Sequence, residues 1–264
     1  MIEINNLTFT YPTGTNALKE LNLKINDGEK IGIIGQNGAG KTTLIKNLNG
    51  LLKPTKGSVI VNGVDTRNVQ IADMSKTVGF VFQNPADQIF NPTIKGEIEF
   101  GLVQQGFKKN EIKHRTDSVL KNIKLYEKRN VHPSNLNYSE RKLLTIASVL
   151  AMDPKIIIFD EPITGQDYKG KIAVEKIIHS LKDKTVIIIS HDMEFIARMV
   201  DRIIVMCDGR IIADDSKIKI FQNNKALCTA FVEPPEALKI SKKLGLKPCL
   251  TIEECIEEAK KVFK

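Results

Sequence analysis

The sequence predicts an α/β protein in which a mostly parallel sheet is covered by helices. Three observations predict it. Short apolar runs of strand length, such as KIGII at 30–34, IIIF at 156–159 and VIII at 186–189, alternate with segments of helical periodicity. A glycine-rich turn, GQNGAGKT at 35–42, joins one such run to a helical pattern. Asp160 ends another run, in IIIFDEP at 156–162, at the strand end where such sheets bind ligands.

The elements follow in order. MIEINNLTF, LKELNLKI and KIGIIG alternate like strands. The helical TTLIKNLNGLL then closes at KPTKG, with Pro54 and Gly57 as stops. GSVIVNGVD carries Asn62-Gly63 between apolar residues, a hairpin signal, and VGFVF at 78–82 is a further strand. From about 94 to 151 the pattern is helical, punctuated by Gly106 and Pro133; its lysine-rich part, 108–129, reads as a solvated helix face. Strand 155–159, helix 169–182, strand 185–189, helix 192–200, strand 202–206 and a short strand near 210–213 complete the alternation. A helical tail runs from about 216, broken at Glu233-Pro234-Pro235. Internal repeats and low-complexity segments are absent from the sequence.

Composition narrows the class. With 264 residues, 42% hydrophobic and 27% charged, the chain can bury one large core or two modest ones and is not a disordered protein. No apolar run approaches the roughly 18 residues of a membrane helix. MIEINNLTF lacks the features of a signal peptide, so the expected location is the cytoplasm. The net charge of +8 is compatible with nucleic acid, an anionic membrane face, a polyphosphate ligand or simply a solvated lysine-rich surface. Cys207, Cys228, Cys249 and Cys255 form no CxxC pair and read as buried free thiols.

GQNGAGKT matches G-x-x-x-x-G-K-[ST] in the strand-to-helix context that motif requires. Gly35, Gly38 and Gly40 let backbone N–H groups turn toward phosphate oxygens, with Gln36, Asn37 and Ala39 between them. The helix that follows, through Thr43, adds the positive end of its dipole. Lys41 is expected to reach the β- and γ-phosphates of ATP, and Thr42 to place its hydroxyl on Mg²⁺. Asp160 is expected to hold Mg²⁺, directly or through water, and Glu161 to act as general base toward an attacking water. His191, in VIIISHD at 186–192, has two readings: a helix-starting or packed residue, or a γ-phosphate contact that orients the water.

GQNGAGKT, Gln83 after FVF, IIIFDEP and SHD, in this order and spacing, resemble the nucleotide-binding domain of ABC transporters over about residues 1–215. The resemblance implies a P-loop NTPase of ABC ATPase type, with an antiparallel β subdomain, a helical subdomain at about 94–151 that docks on transmembrane subunits, and an extension at 216–264. It implies that Tyr11 stacks on adenine and that Gln83 touches Mg²⁺ and senses the membrane partner. Residues 163–167, ITGQD, match a loop that more usually reads TAGLD, with Asp167 in its place. FQNPADQIF at 82–90 and the tail EPPEALKISKKLGL are similar to the ATPases of cobalt/nickel and energy-coupling-factor importers, which take up metals and vitamins. In that group the extension helps two ATPases pair. The implied setting is the cytoplasmic face of the cell membrane. The implied partners are a second ATPase, a transmembrane coupling subunit and a substrate-binding membrane subunit, with no nucleic acid expected. A soluble ABC ATPase and a weakly hydrolysing nucleotide-binding regulator are the alternatives.

SNLNYSERK at 134–142 departs from this pattern. The family's glycine-rich signature, LSGGQ, opens the helix before the Asp-Glu strand and closes over the ATP of the partner subunit. Counting back from Asp160 places Leu136 on its leucine and Asn137, Tyr138, Ser139 and Glu140 on S, G, G and Q. Tyr138 adds bulk where close backbone approach is needed. Glu140 brings a carboxylate toward a phosphate; at roughly 5–6 Å and an effective dielectric near 20 the repulsion is about 3 kcal/mol. Asn137 can still donate a hydrogen bond, and Ser139 is placed to cap the helix. The expectation is a heterodimer with one competent and one slow ATP site.

Overall fold

The computed structural model describes residues 1–262; positions 263 and 264, the end of the expected C-terminal helix, lie outside the described residues. In chain order the elements are β1 (Ile2–Thr10), β2 (Asn16–Ile25), β3 (Lys30–Ile34), α1 (Lys41–Leu48), β4 (Lys56–Val61), β5 (Val64–Asp65), α2 (Ile71–Met74), β6 (Val78–Val81), α3 (Ile94–Gln104), α4 (Lys109–Asn122) and α5 (Tyr138–Ala151). They continue with β7 (Ile156–Asp160), α6 (Tyr168–Ser180), β8 (Thr185–Ile189), α7 (Met193–Met199), β9 (Arg202–Cys207), β10 (Arg210–Ser216), α8 (Lys217–Gln222), α9 (Asn224–Thr229), α10 (Glu236–Lys243) and α11 (Ile252–Val262). The chain forms two compact units, one of residues 1–69 and those from 187 onward, the other of residues 70–186.

In the first unit, an antiparallel sheet runs in the order β2-β1-β4-β5. Its alternating sequence buries one face: Ile2, Ile4, Leu7, Phe9 from β1 and Leu18, Leu21, Leu23, Ile25 from β2. Asn62 and Gly63 both take positive φ, 49° and 80°, and make the two-residue hairpin turn between β4 and β5. β3 pairs in parallel with β9, and β9 antiparallel with β10. The residues of β3 after Lys30 are buried, as the unbroken apolar run requires. α1 is shorter than its periodicity suggests. It stops at Leu48, because Asn49 leaves helical geometry and Gly50 takes a φ of 76°. β10 extends to Ser216, beyond the short strand expected.

The tail does not stand apart from this unit. α8 packs on β9 and β10 and α9 on β9, while α10 and α11 pack on each other around Ala237, Cys249 and Cys255. All four cysteines are free, but only Cys249 and Cys255 are buried; Cys207 is half-buried and Cys228 lies on the exposed side of α9, so the expectation of four buried thiols fails for those two. Burial, reinforced by the neighbouring Cys255, pushes the Cys249 thiol up to about 11.

In the second unit, β6 pairs in parallel with β7, both strands largely buried. The expected helical stretch is present as α3, α4 and α5, which share a core of Ile94, Ile98, Leu102, Leu120, Leu144 and Ala147. α4 buries only Thr116 and Leu120, which leaves its lysines solvated. Among the described residues no helix is long and apolar enough to cross a membrane.

Candidate functional site

In the first unit, β3 leads straight into the glycine loop. Gly35 and Gly40 have φ of 146° and 98°, and each is closed to a side chain. A Cβ on Gly35 would lie 2.1 Å from the Met206 carbonyl oxygen, and one on Gly40 2.7 Å from that of Ala17. Gly40 is the N-cap of α1 and supplies no side-chain cap. The first-turn N–H groups therefore meet the loop as a donor array suited to an anion. Lys41 is buried, and its Nζ donates to the carbonyls of Gly35 at 2.6 Å and Gln36 at 2.9 Å, which holds the ammonium within the loop. Ala39 is buried, Asn37, Gly38 and Thr42 are exposed, and Thr43 is buried with its Oγ1 3.0 Å from the Tyr11 hydroxyl. The Tyr11 ring also packs edge-on against Phe9, with centroids 4.9 Å apart. The loop thus fits a polyphosphate by its donor chemistry.

His191 is exposed and lies two residues before α7 begins. Helix initiation there belongs to Asp192, whose Oδ1 accepts from the Phe195 amide at 2.9 Å.

In the second unit, β7 delivers Asp160 and Glu161, both nearly fully buried, at its C-terminal end. Glu161 takes a left-handed φ of 46°, a conformation that costs a non-glycine residue about 1–2 kcal/mol. Thr164 Oγ1 donates to Glu161 Oε2 at 3.0 Å. Gln83 lies exposed just after β6.

A residue outside the candidate site set stands between these groups. Lys142 has no exposed surface, and its Nζ donates to the carbonyls of Phe82 and Gln83, both at 2.8 Å. Burial pushes its ammonium down to about 8, while the Asp160 and Glu161 carboxylates pull the other way. The signal is present: α5 is apolar and buried almost throughout from Leu144 to Ala151, and a lysine that opens such a stretch needs buried partners.

The NYSE stretch is fully engaged. Asn137, not Ser139, caps α5: its Oδ1 accepts from the Glu140 amide at 2.8 Å, and Glu140 Oε2 accepts from the Asn137 amide at 3.1 Å, a reciprocal capping box. Ser139 loses the capping role because its Oγ donates instead to Asp167 Oδ1 at 3.2 Å; Asp167 itself caps α6 by accepting from the Gly170 amide at 2.7 Å. Lys128 Nζ sits 2.5 Å from Glu140 Oε1. Burial works to raise the Glu140 carboxyl, but the hydrogen bonds from Lys128 and the Asn137 amide outweigh it and leave it below the usual carboxylate range. Tyr138 lies against Gly165 of ITGQD, so closely that a Cβ on Gly165 would be 2.9 Å from Tyr138 Cε1. The charge conflict anticipated at Glu140 is therefore offset by Lys128, and the bulk of Tyr138 remains.

Gln166, beside Asp167, is 9% exposed, and neither its Nε2 nor its Oε1 finds a hydrogen-bond partner among the described residues. An unsatisfied buried amide costs about 1–3 kcal/mol. Gln166→Leu is expected to stabilise the protein by about 1 kcal/mol, read as a higher urea midpoint at unchanged slope; a lower midpoint would mean that the amide is satisfied.

The ABC transporter family model matches residues 18–164, more than half of the chain. An ABC transporter ATP-binding protein of Caldanaerobacter subterraneus subsp. tengcongensis is 38% identical over 99% of this chain, which spans only 46% of that relative's length. The energy-coupling factor transporter ATP-binding protein EcfA of Methanothermobacter thermautotrophicus is 36% identical, over 98% of this chain and 86% of that protein. Among solved structures, cbiO1 of Clostridium perfringens, part of the ABC transporter complex cbiONQ, superposes with a TM-score of 0.74 at 29% identity, covering 92% of this chain and 95% of that one. The phosphate cradle, the buried Asp160-Glu161 pair and these similarities lead to one assignment: the chain belongs to the ABC transporter family of ATPases.

Proposed function

We propose that this chain is the ATP-hydrolysing motor subunit of an importer of the energy-coupling-factor or cobalt type, at the cytoplasmic face of the membrane. It pairs with a second, related ATPase and works with a coupling subunit and a substrate-binding subunit in the membrane. The observation that carries the reading is the glycine loop closed to side chains around Lys41. The likeness to EcfA and cbiO1 over nearly the whole chain supports the importer type.

Residues 35–43 hold the triphosphate, and Tyr11 stacks on the adenine. Thr42, Gln83 and Asp160 would hold Mg²⁺, and the ion would supply neutralisation of phosphate charge. Glu161 accepts a proton from water as its oxygen bonds to the γ-phosphorus and the bond to the bridging β,γ-oxygen breaks, yielding ADP and phosphate. His191 contacts the γ-phosphate and orients that water, while Lys41 and the loop amides stabilise the developing charge. The stretch 137–140 serves the partner's ATP. Tyr138 blocks close backbone approach there, so that site turns over slowly while the site with this chain's P-loop is competent. Ile240 on α10, Leu244 just after it, and Ile252 and Ile256 on α11 stay exposed, which supports the extension as a pairing surface. Phe90 and Phe100, exposed and packed edge-on at 4.8 Å, support docking of this region on a membrane subunit.

Intact-complex mass spectrometry of the tagged chain, extracted gently from its native membrane, tests this reading. The expected result is one copy of this chain, one different ATPase with an intact glycine-rich signature, and membrane subunits. Two copies of this chain would overturn the asymmetric arrangement, and salt-sensitive copurification with nucleic acid and no membrane protein would favour a soluble ATPase.

A further inference from the structure

Two side-chain straps bind the loop that carries Gln83 to α5. The first is Lys142, whose ammonium grips the carbonyls of Phe82 and Gln83, both at 2.8 Å. The second is Gln88, whose Oε1 accepts from the Phe82 amide at 3.1 Å while its Nε2 donates to the Thr145 carbonyl at 3.2 Å. Both straps meet at Phe82, the Lys142 strap reaching Gln83 as well, and on α5 they start one turn apart. Lys142 also lies one turn beyond Tyr138 and Ser139, so its strap is anchored in the helix that the signature stretch opens. A wholly buried cation is kept in place only where partners replace its water. Here two carbonyls do so, and the charges of Asp160 and Glu161 favour it further. A leucine, like Leu144 on the same helix, would fill this space without that demand. The lysine is therefore a specific connection between backbones that are about 60 residues apart in sequence.

We infer that Lys142 is a positioning residue that locks the Gln83 loop to the first turns of α5, so that this chain's own ATP, sensed at Gln83, and the partner's ATP, engaged by 137–140, are coupled through one internal latch. The inference rests on the roles given under Proposed function. Gln83 belongs to the site completed by this chain's P-loop, and the signature stretch to the opposite site. Lys142 touches neither nucleotide. It makes one piece of two segments that report on different ATP molecules.

Hydrogen exchange and steady-state kinetics on the purified ATPase assembly test it, with MgATP as the probe. In the wild type, MgATP is expected to change amide protection at 82–88 and at 137–142 together. In Lys142→Met the change at 137–142 is lost while that at 82–88 persists, and kcat falls about tenfold or more with KM for ATP within about threefold. Lys142→Arg, whose guanidinium can serve two carbonyls, recovers kcat to within about threefold of wild type. Gln88→Leu, which cuts the weaker strap, gives the same pattern at about threefold and decides the matter if Lys142→Met does not fold. Joint protection changes and normal kcat in the variants would overturn the latch, as would losses in kcat and binding together that arginine does not restore. These results differ from failure of the underlying reading, in which the wild-type chain neither binds nor hydrolyses ATP and the coupling falls with it.

Discussion

Glu161→Gln is expected to lower ATP turnover by about 10²–10⁴-fold while leaving ATP affinity within a few-fold. The amide has the volume of the carboxylate, and its oxygen can still accept from the Thr164 hydroxyl that now bonds Glu161 Oε2 at 3.0 Å. The left-handed backbone at this position, φ 46°, is indifferent to the exchange. Only the ability to take a proton from water is removed. The variant should therefore bind ATP and hold it, and in the complex it should trap the closed pair of ATPases. Phosphate release measured beside fluorescent-nucleotide binding checks both halves. Turnover within about threefold of wild type would remove Glu161 from the proton-accepting role and leave water activation to another group.

The second large effect concerns Tyr138. In an assembly whose competent site is silenced by Glu161→Gln, the remaining hydrolysis reports on the site served by 137–140. Tyr138→Gly is expected to raise that residual rate about tenfold, since it restores close backbone approach to a phosphate. Glu140→Gln alone is expected to change it less than about twofold, because Lys128 and the Asn137 amide already hold that carboxylate. The glycine variant carries a cost of about 1 kcal/mol at the first turn of α5, beyond the lost contact with Gly165, so its melting temperature is measured alongside. If Glu140→Gln proves the larger change, charge rather than bulk limits this site. If neither variant moves the rate, the stretch works as it stands.

Much of this molecule was legible in the chain because its signals are local. The Asn62-Gly63 hairpin needs only two residues that tolerate positive φ. The cradle needs glycines at fixed spacing between an apolar strand and a helix, and the Asp160-Glu161 pair needs a buried run that ends in two acids. Helix lengths were less legible, as α1 shows, since Asn49 and Gly50 end it inside an apolar pattern that continues to Leu52. The expectation of burial fails at Cys207 and Cys228 because burial of a small side chain depends on which face of its element is covered.

The sequence by itself determined the α/β class, the glycine loop between strand and helix, and the acidic strand end. Each depends on residues within about one element's length of each other, where φ/ψ preference and periodicity act directly. The tertiary structure decided which groups the stretch 137–142 meets. It gave Glu140 to Lys128, Ser139 to Asp167 and Tyr138 to Gly165, and it placed the Lys142 ammonium on the Phe82 and Gln83 carbonyls. These partners lie 12 to 60 residues away in the chain. Which of them a side chain meets is set by how the elements pack, and the demand of a buried charge or hydroxyl for a partner is met only once that packing exists.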